Sequence, residues 1–122
     1  MANTTIHVTT LTANAATANP TGTAIAAANT HVVTPTVPLR RVFLRFTNSF
    51  AGAKVFTILA GDNPPADAAG QGNLTKSLAQ DEVWWVGPLT SARFLQNDGT
   101  VQITVEAATT GFIEAFQVPK GA

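Results

Sequence analysis

Residues 39–60, LRRVFLRFTNSFAGAKVFTILA, constrain the fold more than any other stretch. In the first half, Val42, Leu44 and Phe46 alternate with Arg41, Phe43, Arg45 and Thr47. Successive side chains of a strand point to opposite faces. One face is therefore apolar, and the other carries Phe43 between two arginines. NSFAGA then breaks the pattern, and KVFTILA reads as a second strand. These are the expected central strands, and the weaker segments on either side must cover them.

Those weaker segments read as short strands cut by turn residues. TTIHVTTL at residues 4–11 alternates in part. Residues 12–23, TANAATANPTGT, hold small residues and an Asn-Pro-Thr-Gly turn signal, which suits a loop or an arm. Residues 24–33 end in a strand-like His-Val-Val, and Pro35 and Pro38 bracket an extended connection. Residues 61–72, GDNPPADAAGQG, are the strongest loop signal, and loops of that length often make contacts. A short strand at 74–78 precedes EVWWV at 82–86. The latter is apolar on both faces and is expected to be buried in the core or at an interface. Asn97-Asp98-Gly99 lies between SARFLQ and TVQITVEA, a hairpin signal. Val101, Ile103 and Val105 alternate with polar residues, and FIEAFQV forms the last strand before Pro119. The expectation is an all-β chain with no helix. It forms a single β-sandwich, jelly-roll or immunoglobulin-like, of eight or nine short antiparallel strands. Residues 1–38 supply a partly extended N-terminal arm and a proline-rich connection, and residues 39–118 the core strands.

A chain of 122 residues suits one domain. Only 11% of its residues are charged, and the net charge is zero. Soluble domains usually carry about 25%. Either a partner or further copies cover part of the surface, or threonine, asparagine and glutamine keep it polar. No basic excess favours nucleic acid. The absence of cysteine removes disulfides and thiolate metal sites. No apolar run of about 18 residues suits a membrane span. MANTTIHVTT lacks the pattern of a signal peptide, so synthesis in a cytoplasm is expected.

Little resembles catalysis, and no cofactor is expected. His7 and His31 have no partner at a metal-binding spacing, and each is expected at the surface or an interface. Ser49, Ser77 and Ser91 lack a nucleophile setting. Asp62 and Asp67, separated by two prolines, do not match a calcium loop. Binding residues are easier to name. Arg41 and Arg45 flank Phe43 on one face, and arginine is enriched at interfaces. The alternative is a pair of solvated arginines on a wet sheet. Trp84 and Trp85 are adjacent, so one is expected in the core and the other under a loop or at an interface. Pro64 and Pro65 give the long loop a rigid contact surface. The candidate interface is thus Arg41, Phe43, Arg45, Trp84, Trp85, Pro64 and Pro65. A sugar stacked on Trp84 or Trp85, as in a carbohydrate-binding adhesion module, is the ligand alternative.

Several segments together carry a family likeness: MANTTIHVTTLTANAA at the start, LRRVFLRFTN with AGAKVFTILAGDNPPA, and VWWVGPLTSARFLQNDGTVQITV. The chain resembles small head proteins encoded near the major capsid gene in tailed phages and prophages of actinobacteria, the capsid decoration or cement proteins. The resemblance covers most of the chain and implies a class of function without assigning a site residue. It implies a non-enzymatic virion protein on the capsid surface that binds the major capsid protein lattice and stabilises the head. A homo-oligomer is implied, with a trimer favoured. A tail or neck structural protein is the neighbouring alternative.

Overall fold

A computed structural model describes residues 3–12, 14–61, 72–89, 94–96 and 98–118. The chain is nearly all β. In order, the strands are β1 (Asn3–Thr5), β2 (Val8–Thr10), β3 (Thr23–Ala24), β4 (Thr30–Val33), β5 (Val42–Asn48), β6 (Lys54–Ile58), β7 (Leu74–Leu78), β8 (Val83–Val86), β9 (Val101–Val105) and β10 (Gly111–Gln117). A 3₁₀ turn, Leu39–Arg41, leads into β5.

The strands form two five-stranded sheets. Sheet A runs β1-β4-β9-β6-β7; sheet B runs β2-β10-β5-β8, with β3 also on β10. Both sheets are mixed, because β1 pairs parallel with β4 and β2 parallel with β10. The purely antiparallel arrangement expected from the sequence is corrected there. The cause is the N-terminal run, which pairs with sheet A over β1 and crosses to sheet B over β2. Ile6 N–H bonds Val32 O before the crossing, and Ala115 N–H bonds His7 O after it. Ile6 itself is buried.

Strands β5 and β6 are interior strands of their sheets, in line with the expected central position. They do not pair with each other, because the NSFAGA break carries the chain from sheet B to sheet A. Their apolar faces meet instead, with the Phe46 and Phe56 rings stacked at 5.0 Å. Val42, Leu44, Phe46, Ile113 and Ala115 from sheet B join Val33, Phe56, Ile58, Leu78, Val101 and Ile103 from sheet A in one buried cluster. Each large apolar side chain buried there contributes about 1.5–3 kcal/mol.

The Asp98-Gly99 turn closes through Gly99 N–H to Gln96 O and Gln96 N–H to Thr100 O, both 2.9 Å. Residues 94–96 before it are not a strand, so the expected hairpin has one strand arm among the described residues. Asn48, at the end of β5, is fully buried. Its Nδ2 donates to Gly52 O at 2.9 Å and Leu78 O at 2.8 Å, while Oδ1 accepts from Phe50 N–H at 3.0 Å. This side chain ties the 49–53 turn to the end of β7.

His31 corrects a second expectation: it lies in the core and is fully buried. Strand β4 alternates, so His31 faces inward with Val33. Its Nε2 accepts from Ala26 N–H at 3.1 Å, and Nδ1 lies 3.4 Å from Ile103 O, which only a protonated Nδ1 can use as a donor. The ring is therefore neutral, with its proton on Nδ1. Burial pushes its pKa below the ordinary 6.5, opposed by the Ile103 hydrogen bond. The unfolded chain takes up this proton first as pH falls. The His31 contribution to stability is thus complete above about pH 6.5 and declines below it, by at most about 1.4 kcal/mol per pH unit. Urea unfolding between pH 7.5 and 5 is expected to show this decline in the wild type and a flatter profile in His31→Leu. Parallel profiles would mean that His31 does not carry the acid sensitivity.

Candidate functional site

The outward face of sheet B holds most of the residues expected at an interface. Antiparallel pairing sets Phe43 opposite Phe116, and Arg45 opposite both Glu114 of β10 and Trp85 of β8. Directly opposed residues share a face. An aromatic group follows: Phe43 and Phe116 stack at 5.4 Å, and Trp85 lies 5.7 Å from Phe43 and 5.1 Å from Phe116. The Arg45 guanidinium sits 5.5 Å from the Phe116 ring centre and 5.8 Å from that of Trp85, within cation–π reach.

Arg45 is only 5% exposed. Its guanidinium donates to Asn19 Oδ1, to Pro20 O and to Thr21 O at 3.1 Å. All three acceptors belong to the segment between β2 and β3, which crosses this face as a strap. Gly22 ends the strap with φ +102°, and a Cβ there would meet Phe112 Cβ at 3.2 Å and Arg45 Nη2 at 3.3 Å. Glycine is needed both for that backbone and for the close approach.

Glu114 is fully buried beside it. Its Oε2 accepts from Thr9 Oγ1 at 2.5 Å and lies 2.8 Å from His7 Nδ1. Glu114 Oε1 has no hydrogen-bond partner, the one such buried side-chain atom among the described residues. The His7 side chain stays largely exposed. The carboxylate and the guanidinium thus sit opposite one another while bonding the two ends of the same N-terminal segment.

Arg41 is not on this strand face. It belongs to the 3₁₀ turn before β5, where Val118 N–H bonds its carbonyl. Neither tryptophan enters the core. Val83, Trp84 and Trp85 are 50%, 41% and 55% exposed. The physical reason is position, since among the described residues β8 is the edge strand of sheet B and has a neighbour only on the β5 side. Trp84 is opposite Phe46 and points inward, but at the rim, where Lys76 Nζ of β7 lies 3.8 Å from its ring centre. Pro64 and Pro65 lie outside the described residues.

Phe116, Glu114 and the strap acceptors were not among the sequence candidates. The alternation of FIEAFQV already places Phe112, Glu114 and Phe116 on one face, so that signal was present. Nothing local marks Asn19, Pro20 or Thr21 as acceptors for an arginine 24 to 26 positions away. Phe116 is buried and Phe43 half-buried, so Trp85 is the ring of this group that is open to a partner. Among the described residues no group of three His, Asp or Glu side chains converges to hold a metal.

Replacing Arg45 with alanine removes the fork that holds the strap. A loss of roughly 2–3 kcal/mol is expected, with hydrogen exchange across residues 14–22 faster than in the wild type. Arg45→Lys should recover only part, since an ammonium does not match the planar fork. Unchanged exchange in Arg45→Ala would show that the strap is held by other contacts. Compared with known protein families, curated proteins and solved structures, the chain matches none.

Proposed function

We propose that this protein is a non-enzymatic virion structural protein, a capsid decoration protein that binds the major capsid protein lattice and stabilises the phage head. The carrying observation is the exposed Trp85 beside Phe43, Phe116 and the strap-held Arg45. Tryptophan is a typical hot-spot residue at protein interfaces, and Trp85 is 55% exposed while Arg45 and Phe116 beside it are buried and hold it in place. A face of this kind, on a chain with zero net charge, fits a protein surface better than a nucleic acid. The resemblance of the sequence to small head proteins supplies the identity of the partner.

The fold assigned here is a β-sandwich of jelly-roll or immunoglobulin-like class. Support for it comes from the single core cluster shared by both sheets and from the Phe46–Phe56 stack between them. The protein is synthesised in the host cytoplasm and resides on the capsid surface. Each docked protomer adds contact area to a shell that it binds only when assembled, which stabilises that shell by mass action. A trimer is the favoured unit on the shell, because three copies present three Trp85 faces to one local three-fold position. Tail or neck placement is the closest alternative. The sugar-stacking alternative loses one candidate surface, because Lys76 already occupies a face of the Trp84 ring.

The test is addition of purified protein to undecorated capsids. Binding is expected to saturate near the copy number of the capsid protein and to raise the temperature of particle disruption. Trp85→Ala should fold and bind about tenfold more weakly or worse. Localisation to the tail or to one vertex, or no effect on particle stability, would sink the decoration reading. Retention on a glycan array that depends on Trp85 would favour the adhesion alternative.

A further inference from the structure

The two sheets end side by side in edges that are protected very differently. Strand β7 closes sheet A and carries polar Thr75 and Ser77, with Lys76 turned inward onto the Trp84 ring. Inward charge and polar side chains are common means of keeping an edge from pairing with another chain. Strand β8 closes sheet B with Val-Trp-Trp-Val and no charge, and three of its four side chains are 41–55% exposed. Long or apolar open edges are templates for a further strand.

The hydrogen-bond parity of β8 says which of its backbone groups have no strand partner among the described residues. Asn48 N–H bonds Glu82 O, and Leu89 N–H bonds Val42 O. On the other side of β5, Ser49 N–H bonds Thr110 O and Val118 N–H bonds Arg41 O. Even-numbered residues of β5 therefore bond towards β8, and odd-numbered residues towards β10. Within β8 it follows that Trp84 and Val86 bond inward to Phe46 and Leu44. The N–H and C=O groups of Val83 and Trp85 point away from the sheet.

We infer that β8 pairs with β8 of a second copy, antiparallel about a two-fold axis through the Trp84 position. A two-fold axis normal to a sheet can relate two antiparallel strands only with a residue opposite itself. With Trp84 opposite Trp84, Val83 of each copy faces Trp85 of the other. All four outward-pointing residues then make hydrogen-bonded pairs, and four backbone hydrogen bonds close. Centring on Trp85 would instead pair Val83 with Gly87, whose φ of +126° leaves strand geometry. No charge lies on β8 to repel its copy. A four-residue strand is only about 13 Å long and cannot by itself reach the ~1,200 Å² of a stable interface. The contact is therefore a weak one in solution, with a dissociation constant above ~1 µM. It stands independently of the virion reading, since it concerns the isolated protein alone.

The test combines sedimentation and single-cysteine crosslinking, which the cysteine-free sequence makes clean. Wild-type protein is expected to associate reversibly as concentration rises towards the millimolar range. Val83→Lys, at an exposed position, should stay folded by circular dichroism and associate about tenfold more weakly or worse. Trp84→Cys should form a disulfide dimer under mild oxidation, because the paired Cα atoms of a non-hydrogen-bonded position lie about 4.5 Å apart, within disulfide range. Ser77→Cys on β7 should not. A monomer at millimolar concentration, association indifferent to Val83→Lys, or equal crosslinking at positions 77 and 84 would each overturn the inference. Failure of the wild-type protein to bind capsids, with Trp84→Cys still crosslinking, would overturn the functional reading and leave this contact standing.

Discussion

Strand β5 is buried on both sides, and much of the molecule follows from that. Val42, Leu44 and Phe46 fill the core, while Arg45 on the opposite face is only 5% exposed. A guanidinium withdrawn from water that far needs hydrogen-bond acceptors. Its register partner Glu114 uses Oε2 for Thr9 and His7 and leaves Oε1 without a partner, and the acceptors for Arg45 come from the strap. The N-terminal segment is thereby fixed at two points on the same face. One is the Glu114 carboxylate near β2, and the other is the guanidinium just before β3. Ile6 anchors the same segment in the core, so apolar packing and these two polar attachments together set its route.

The same strand accounts for the exposed edge. Because β10 occupies one side of β5 and β8 the other, β8 is the last strand of sheet B. Its inward residues stand at the rim of the core, not within it. Trp84 closes the gap between the two sheets with help from the Lys76 ammonium, and Trp85 lies against Phe43 and Phe116. Both rings are half-covered by intramolecular contacts and half free. Such rings are well placed for binding, because their orientation is already restricted before a partner arrives.

Local periodicity made the core strands legible. Alternation identified β5 and β9, strand-like runs between turn residues identified β6, β7 and β10, and the Asp98-Gly99 signal identified a turn that forms. Periodicity says which residues share a face, but it is silent on which strand lies alongside. That silence explains the misplaced features. EVWWV reads as doubly buried because nothing in its four apolar residues reveals that it is an edge. The strands β5 and β6 read as central strands, but nothing in NSFAGA tells that the chain crosses there from one sheet to the other. His31 reads as a surface or interface residue because no partner at a metal-binding spacing accompanies it. Its burial depends on Ala26 N–H and Ile103 O, one of which is 72 residues away. For the candidate interface, the shared face of Phe43 and Arg45 was visible in the alternation. The turn that separates Arg41 from that face, and the strap that covers Arg45, were not.

Trp85 joins the two ways in which this molecule can bind. Its ring belongs to the outward face with Phe43, Arg45 and Phe116, while its backbone N–H and C=O belong to the open edge. A second β8 can therefore pair along the edge without displacing the ring from its aromatic neighbours. Pairing also extends sheet B across the axis, so two outward faces become continuous on the same side. For an isolated protein the short edge gives little affinity. Copies held next to one another on a repeating surface meet at an effective concentration in the ~mM range. On the proposed lattice a contact too weak to persist in solution would close, and edge pairing and face docking would reinforce each other through a single residue.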